Sequence, residues 1–221
     1  MEHKERGSAN LTYLLILLNT VFFFISVSDS NRFLEIIDLY GLKPLMVLGH
    51  HEFSRLISHM FLHGDLTHLF ANLFSLWGIG TIVERDIGAA TFGLIYLSSG
   101  IFAGFGHSIL HPQSSTPLEG ASGAVFGVLA VLFLLMPLTI NFIMFIPLPS
   151  VLVGLIITAV EVSAFLYSGE TYVAHDAHLA GFLLGSISSF IVDWERALKG
   201  LLIAAIVLLG IYLIGVYGNL F

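Results

Sequence analysis

Apolar residues in this chain come in blocks of about 16 to 20, divided by short polar stretches. That spacing constrains the fold more than any other feature. Hydrocarbon offers the backbone no water, so a segment that crosses it must satisfy its own N–H and C=O groups. Blocks of this length are the signature of spanning helices. Seven are predicted, at about Asn10–Val27, Leu66–Val83, Thr91–Leu110, Ser122–Met136, Val151–Ser168, Ala177–Val192 and Leu198–Val216. Only 10% of the residues are charged, against roughly 25% in an ordinary globular domain. The expected fold is therefore an all-α polytopic membrane protein, with no room for a separate soluble domain.

Several function classes drop out at once. With no basic patch, nucleic acid is not an expected partner. The absence of cysteine excludes disulfide and thiol chemistry. The first apolar block is longer than a usual signal-peptide core and shows no clear small-residue cleavage pattern, so it reads as a span. The net charge of −7 belongs to the loops. With a cytoplasmic N-terminus, Lys4, Arg6, Arg85, Arg196 and Lys199 fall inside, and Arg32, Lys43 and Arg55 outside. This bias of five to three places Asp29–Asp65, His111–Glu119 and Gly169–Asp176 on the outer side, in a multi-pass protein of the cell membrane.

The long first loop carries helical stripes, Phe33, Ile36, Ile37 and Tyr40, then Phe53, Leu56, Ile57, Met60 and Phe61. These predict short helices in the interface or against the bundle. Asp65 is placed to N-cap the second span. On that span His68, Asn72, Ser75 and Ile79 share one face. A polar stripe in hydrocarbon requires a wet or polar interior. It serves either to bond helices together or, through His68 and Asn72, to stabilise a developing oxyanion.

Ser122 opens the fourth span within Gly120-Ala121-Ser122-Gly123. From Ser122 to Pro137 the helix would measure about 22 Å, against about 30 Å of hydrocarbon. Either Pro137 ends it and Ser122 starts well below the outer surface, or it continues through a kink into Leu138–Ile146. The free N–H groups of a helix N-terminus would favour negative charge beside Ser122. Gly123 and Gly127 on this helix, and Gly181 and Gly185 on the sixth, form small-xxx-small pairs that allow close backbone approach. Contact there would bring His178, on the same stripe as Gly181 and Gly185, within reach of Ser122. Serine with histidine is the working pair of nucleophilic hydrolysis.

These residues resemble a known family. Gly120-Ala121-Ser122-Gly123, Ala177-His178-x-x-Gly181-x-x-x-Gly185 and His68-x-x-x-Asn72, in that arrangement on the spans, look like the rhomboid intramembrane serine proteases, over about Asn10 to Asp193. His59 and His63 also fit the family's second-helix region. The resemblance implies a six-helix core over residues 1–193, and a seventh helix over 194–221 with an outward C-terminus. It implies a dyad, with Ser122 as nucleophile and His178 as general base and acid, and an oxyanion site made by His68, Asn72 and the Ser122 backbone N–H. The partners implied are transmembrane protein substrates within the lipid bilayer, cut near their outer ends, and no cofactor or metal is called for. The alternative is an inactive relative that binds transmembrane clients, and a rival membrane metalloprotein reading rests on His59 and His63 alone.

The chain departs from the family pattern in places. Phe126 stands where many members have tyrosine, Ser54-Arg55 replaces a Trp-Arg pair, and Glu84 is followed by Arg85 and Asp86 where Glu-x-Arg is expected. Glu161 lies inside the fifth span, where a carboxylate marks a functional position or is protonated or hydrogen-bonded to a neighbouring helix. Asp176, two residues before His178, projects to a different face. His107, His111 and His175 are expected to be solvated or to pack loops.

Overall fold

The structure is a computed structural model that describes residues 7–28, 30–142, 146–168 and 173–217. Lys4, Arg6 and the first part of the predicted outer segment Gly169–Asp176 lie outside the described residues. The chain opens with α1 (Asn10–Ser26) and three short helices, α2 (Ser30–Tyr40), α3 (Pro44–Gly49) and α4 (Arg55–Ser58). There follow α5 (Leu66–Ser75) and α6 (Thr81–Ile87), joined by a π turn at Leu76–Gly80 into one helix, Leu66–Ile87. Then come α7 (Ala89–Leu110), α8 (Ser122–Leu135), a two-residue hairpin of β1 (Ile140–Asn141) and β2 (Leu148–Pro149), α9 (Ser150–Tyr167), α10 (His175–Val192) and α11 (Trp194–Tyr217). Each predicted span coincides with a helix. Leu66–Ile87, Ala89–Leu110, Ser150–Tyr167 and Trp194–Tyr217 are long and apolar enough to cross a membrane unaided.

Helix α8 is the axis of the bundle. All of its residues but Ser122 and Phe126 are buried, as expected of a helix apolar on every face. It ends at Met136 with Pro137 next, and the chain turns into the hairpin instead of continuing through a kink. Its 14 residues span roughly 21 Å.

Glycines set how closely its neighbours approach. A Cβ on Gly181 of α10 would lie 2.0 Å from the Gly123 carbonyl oxygen, and one on Gly185 would lie 2.1 Å from that of Gly127. The α-carbons of Gly123 and Gly127 in turn face Ala103 and Ser99 of α7. Helix α11 uses the same device, since a Cβ on Gly200 would fall 2.0 Å from the Leu134 carbonyl oxygen. Small residues let dispersion and weak backbone contacts replace the hydrophobic drive that lipid cannot supply. Rows of leucine, isoleucine, valine and phenylalanine on α1, α9 and α11 face outward.

Polar groups pin both ends of the bundle. At one end Glu84, fully buried, accepts hydrogen bonds from Leu11 N (2.9 Å), Thr12 N (2.7 Å) and Thr12 Oγ1 (2.7 Å), and so caps α1. Arg196 of α11 pairs with Asp86 at 2.7 Å and donates to the Leu135 carbonyl that α8 leaves free at its C-terminus. At the other end the first loop folds into the short helices its stripes predicted. Leu42, Val47 and Leu56 make a small core there. Arg55 donates to the carbonyls of Asp38 (2.9 Å) and Gly41 (2.6 Å), and Leu42 pairs through its backbone with Leu118. The loop is thereby stitched to the segment that leads into Ser122.

Candidate active site

The position of Ser122 follows from the glycines around it. Gly120 has φ +117°, which L side chains rarely adopt. A Cβ there would also sit 2.7 Å from His68 Nε2 and 3.7 Å from Ser122 Oγ. Only glycine lets the chain turn into α8 with the His68 ring against it. Gly120 N donates to the His59 carbonyl at 3.0 Å, which fixes the turn from the other side. Because the first regular helical bond runs from Val125 N to Ala121 O, the N–H groups of Ser122, Gly123 and Ala124 have no partner within the helix.

His178 lies in the first turn of α10 with its ring stacked on Phe126, centroids 4.3 Å apart and planes 10° from parallel. Phe126 is one turn along α8 from Ser122. The two partly exposed positions of this buried helix are thus the serine and the ring that carries the histidine. Phe126 keeps the stacking platform of the tyrosine expected there, without its hydroxyl.

A pocket of about 960 Å³ opens beside them. Its walls come from the starts of α5, α8 and α10, the ends of α7 and α9, and the segment Ser114–Glu119, and Ser122, His178, His68 and Asn72 all line it. The Asp65 side chain caps α5 by accepting from His68 N at 2.8 Å, as its spacing predicted. Asn72 gives one N–H of its amide to the His68 carbonyl at 3.0 Å, and keeps the other. His63 presents its ring edge to His68, with centroids 5.1 Å apart. Burial, then the neighbouring His68, lowers His63 to about 3, so it packs as a neutral ring. His59 is likewise buried and lowered to about 4, and it packs against Gly104. The two histidines thus have different neighbours, Gly104 for His59 and His68 for His63. Glu119, at the pocket wall, is pushed up to about 7 by burial and then by Asp65.

Three histidines have polar partners that the sequence did not indicate. Asp176 points away from His178, as expected, and His107 Nδ1 lies 2.8 Å and His111 Nε2 3.3 Å from its Oδ2. His107 is largely buried in this pairing, while His111 keeps half of its side chain exposed. Their i, i+4 spacing puts both rings at the end of α7, opposite the first turn of α10. His175 is turned inward as well, with Nδ1 2.7 Å from Glu161 Oε2. The same oxygen of Glu161 accepts from His178 Nδ1 at 3.1 Å. Glu161 is hydrogen-bonded to a neighbouring helix, as one reading had it, and the residue it meets is the candidate base. No spacing rule links positions 17 apart on two helices, so an intramembrane carboxylate was the only signal. His107, His111 and Asp176 form one group, and Glu161, His175 and His178 another, whose donor atoms lie within 4.8 Å of one another, close enough to hold a divalent cation. Within the first group His107 Nδ1 is hydrogen-bonded to Asp176, and within the second His175 Nδ1 and His178 Nδ1 are both bonded to Glu161.

Comparison with known proteins agrees with this architecture. The Rhomboid domain model matches residues 50–195, more than half of the chain. Rhomboid protease GluP of Bacillus subtilis (strain 168) is 35% identical over 129 residues, 58% of this chain and 25% of GluP. RHOMBOID-like protein 4 of Arabidopsis thaliana is 36% identical over 155 residues, 69% of this chain and 37% of that protein. Putative rhomboid protease YdcA of Bacillus subtilis is 36% identical over 134 residues, 60% of this chain and 66% of YdcA. The chain spans well under half the length of the first two of these relatives. The helical bundle, the apolar outward faces and the family match together make the chain a multi-pass membrane protein of the rhomboid family.

Proposed function

We propose that the chain is an intramembrane serine endopeptidase that cleaves transmembrane-helix substrates near the outer face of the cell membrane. The observation that carries this reading is the stacking of His178 on Phe126, one turn from Ser122, at the wall of a pocket that His68 and Asn72 also line. In this reading the core covers residues 1–193, and residues 194–221 add a seventh helix. The N-terminus is cytoplasmic, and the pocket end of the bundle faces outward.

Ser122 Oγ attacks the scissile carbonyl while its proton passes to His178 Nε2. The C–O bond that forms turns the carbonyl oxygen into an oxyanion. The free N–H groups at the start of α8, the remaining N–H of Asn72 and the His68 side chain face that charge. His178 returns the proton to the leaving nitrogen as the C–N bond breaks. Water in the pocket then repeats the sequence to release the acyl group. The substrate helix must unwind locally, because its carbonyls are otherwise held in hydrogen bonds and cannot be attacked. Small or helix-breaking residues near its outer end make that unwinding cheaper.

The test uses purified protein in liposomes with a model membrane substrate and a fluorophosphonate label. Ser122→Ala and His178→Ala should each abolish cleavage and labelling, and Asn72→Ala should slow cleavage by about 10²-fold, the range for one oxyanion donor. Cleavage that survives Ser122→Ala overturns the mechanism. Wild-type protein that binds the substrate but neither reacts nor cleaves is a client-binding relative.

A further inference from the structure

We infer that Glu161 is the positioning carboxylate of His178, so that a Ser122–His178 dyad drawn from α8 and α10 is oriented by a residue of α9. The inference rests on the peptidase reading above.

Glu161 lies in the second half of α9, among apolar residues, with only 11% of its side chain exposed. An ionised carboxylate in such surroundings is strongly unfavourable unless it is paired and hydrogen-bonded. Both partners on hand are imidazoles of α10. One oxygen, Oε2, accepts from His175 Nδ1 at 2.7 Å and from His178 Nδ1 at 3.1 Å.

The chemistry of the second contact is specific. A neutral imidazole has one N–H and one lone pair. With the proton on Nδ1 donated to Glu161, the lone pair of His178 is on Nε2, the nitrogen that must face Ser122. Phe126 fixes the plane of the ring and Glu161 its rotation within that plane. When His178 accepts the serine proton, both nitrogens become donors and the ring becomes a cation, stabilised by the carboxylate in a low-dielectric setting. Glu161 stays ionised throughout, and the proton moves only between Ser122, His178 and the leaving nitrogen. Asp176, nearer in sequence, is occupied by His107 and His111 and cannot take this role.

His175 adds a second tether. Two donors on one oxygen hold the carboxylate still, and both come from the helix that carries His178. Because Glu161 belongs to α9, the orientation of the base depends on α9 remaining against α10.

The experiment compares wild type, Glu161→Gln, Glu161→Ala and His175→Ala by the rate of fluorophosphonate labelling at Ser122, by cleavage kinetics in liposomes and by thermal unfolding. Glu161→Ala should slow labelling and kcat by at least about tenfold, within the roughly 10²- to 10⁴-fold that a positioned base is worth, with KM changed less than about twofold. Glu161→Gln, which keeps the shape and an acceptor oxygen but no charge, should fall between Ala and wild type. His175→Ala should cost less than either. Formate added to Glu161→Ala should restore part of the labelling rate and should do nothing for His178→Ala. A purely structural role would lower the unfolding temperature without rescue by formate. Labelling of the Gln and Ala variants within about twofold of wild type overturns the inference while leaving the peptidase reading intact. Wild type that is not labelled overturns both.

Discussion

Glu84 and Glu161 are both buried carboxylates inside the helical bundle, and they meet opposite kinds of partner. Glu84 sits at the end away from the pocket, fully buried, and accepts from two backbone N–H groups and a threonine hydroxyl. None of those donors can change protonation near neutral pH, and together they close the N-terminus of α1. Glu161 lies at the pocket end and accepts from two imidazoles, side chains able to pass a proton through the ring nitrogen that Glu161 leaves free. One carboxylate completes a cap, and the other sets the state of a neighbouring side chain. Partner chemistry, more than burial, separates a structural charge from a working one.

Breaking the Glu84 end should give the larger loss of stability. Glu84→Ala leaves the Leu11 and Thr12 N–H groups without their acceptor, and each hydrogen bond to a charged group is worth about 1.5–3 kcal/mol. The variant should unfold at a markedly lower temperature in detergent, with a loss of at least about 3 kcal/mol. Labelling of Ser122 per folded molecule should stay at the wild-type rate. Glu161→Gln should show the reverse pattern. If both substitutions moved stability and labelling together, the distinction between the two ends would fail.

A smaller effect is expected at the neighbouring ion pair. Arg196 is about a third exposed, as is Asp86, and such pairs contribute little because water competes for both charges. Arg196 also donates to the Leu135 carbonyl, which closes the end of α8. Arg196→Ala should therefore cost only about 1 kcal/mol, seen as a modest drop in unfolding temperature with cleavage unchanged. A loss as large as that from Glu84→Ala would mean that α11 is held by this contact and not by the packing of Gly200 on Leu134.

Much of this arrangement was legible in the chain. Block length located the seven helices, the glycine spacing located the α8–α10 contact, and Asp65 was recognisable as a cap because each depends on residues near in sequence. The family match covers 50–195 and bears on the core. The failures share a cause. Asp176 with His107, and Glu161 with His178, are pairs between helices, and their meeting depends on rotation and height that no local pattern encodes. His175 read as a surface residue for the same reason. The loop helices were visible as stripes, but their fastening by Arg55 and by the Leu42–Leu118 pair was not. Proline at 137 left two readings open, and the hairpin that follows decides for the short helix, because it turns the chain back before α9.

The smallest expected effect sharpens the comparison with a third carboxylate, one that has neither kind of partner. Glu119 Oε2 is buried, with no hydrogen-bond partner among the described residues. Burial, then Asp65, raises its affinity for a proton from an ordinary 4.5 to about 7. Below pH 4.5 folded and unfolded chains both hold the proton, and the group contributes no pH dependence. Between 4.5 and about 7 the unfolded chain releases it while the folded chain retains it, so stability falls as pH rises through that window and levels off above it. Glu119→Gln removes the ionisation, and its unfolding temperature should change less between pH 5 and 8 than that of wild type. The slope lost should be small, because the side chain lines the open pocket and is only partly buried. An unchanged slope would mean that Glu119 finds a partner in solution, and that an unpaired carboxylate at this pocket wall is not what distinguishes it from Glu84 and Glu161.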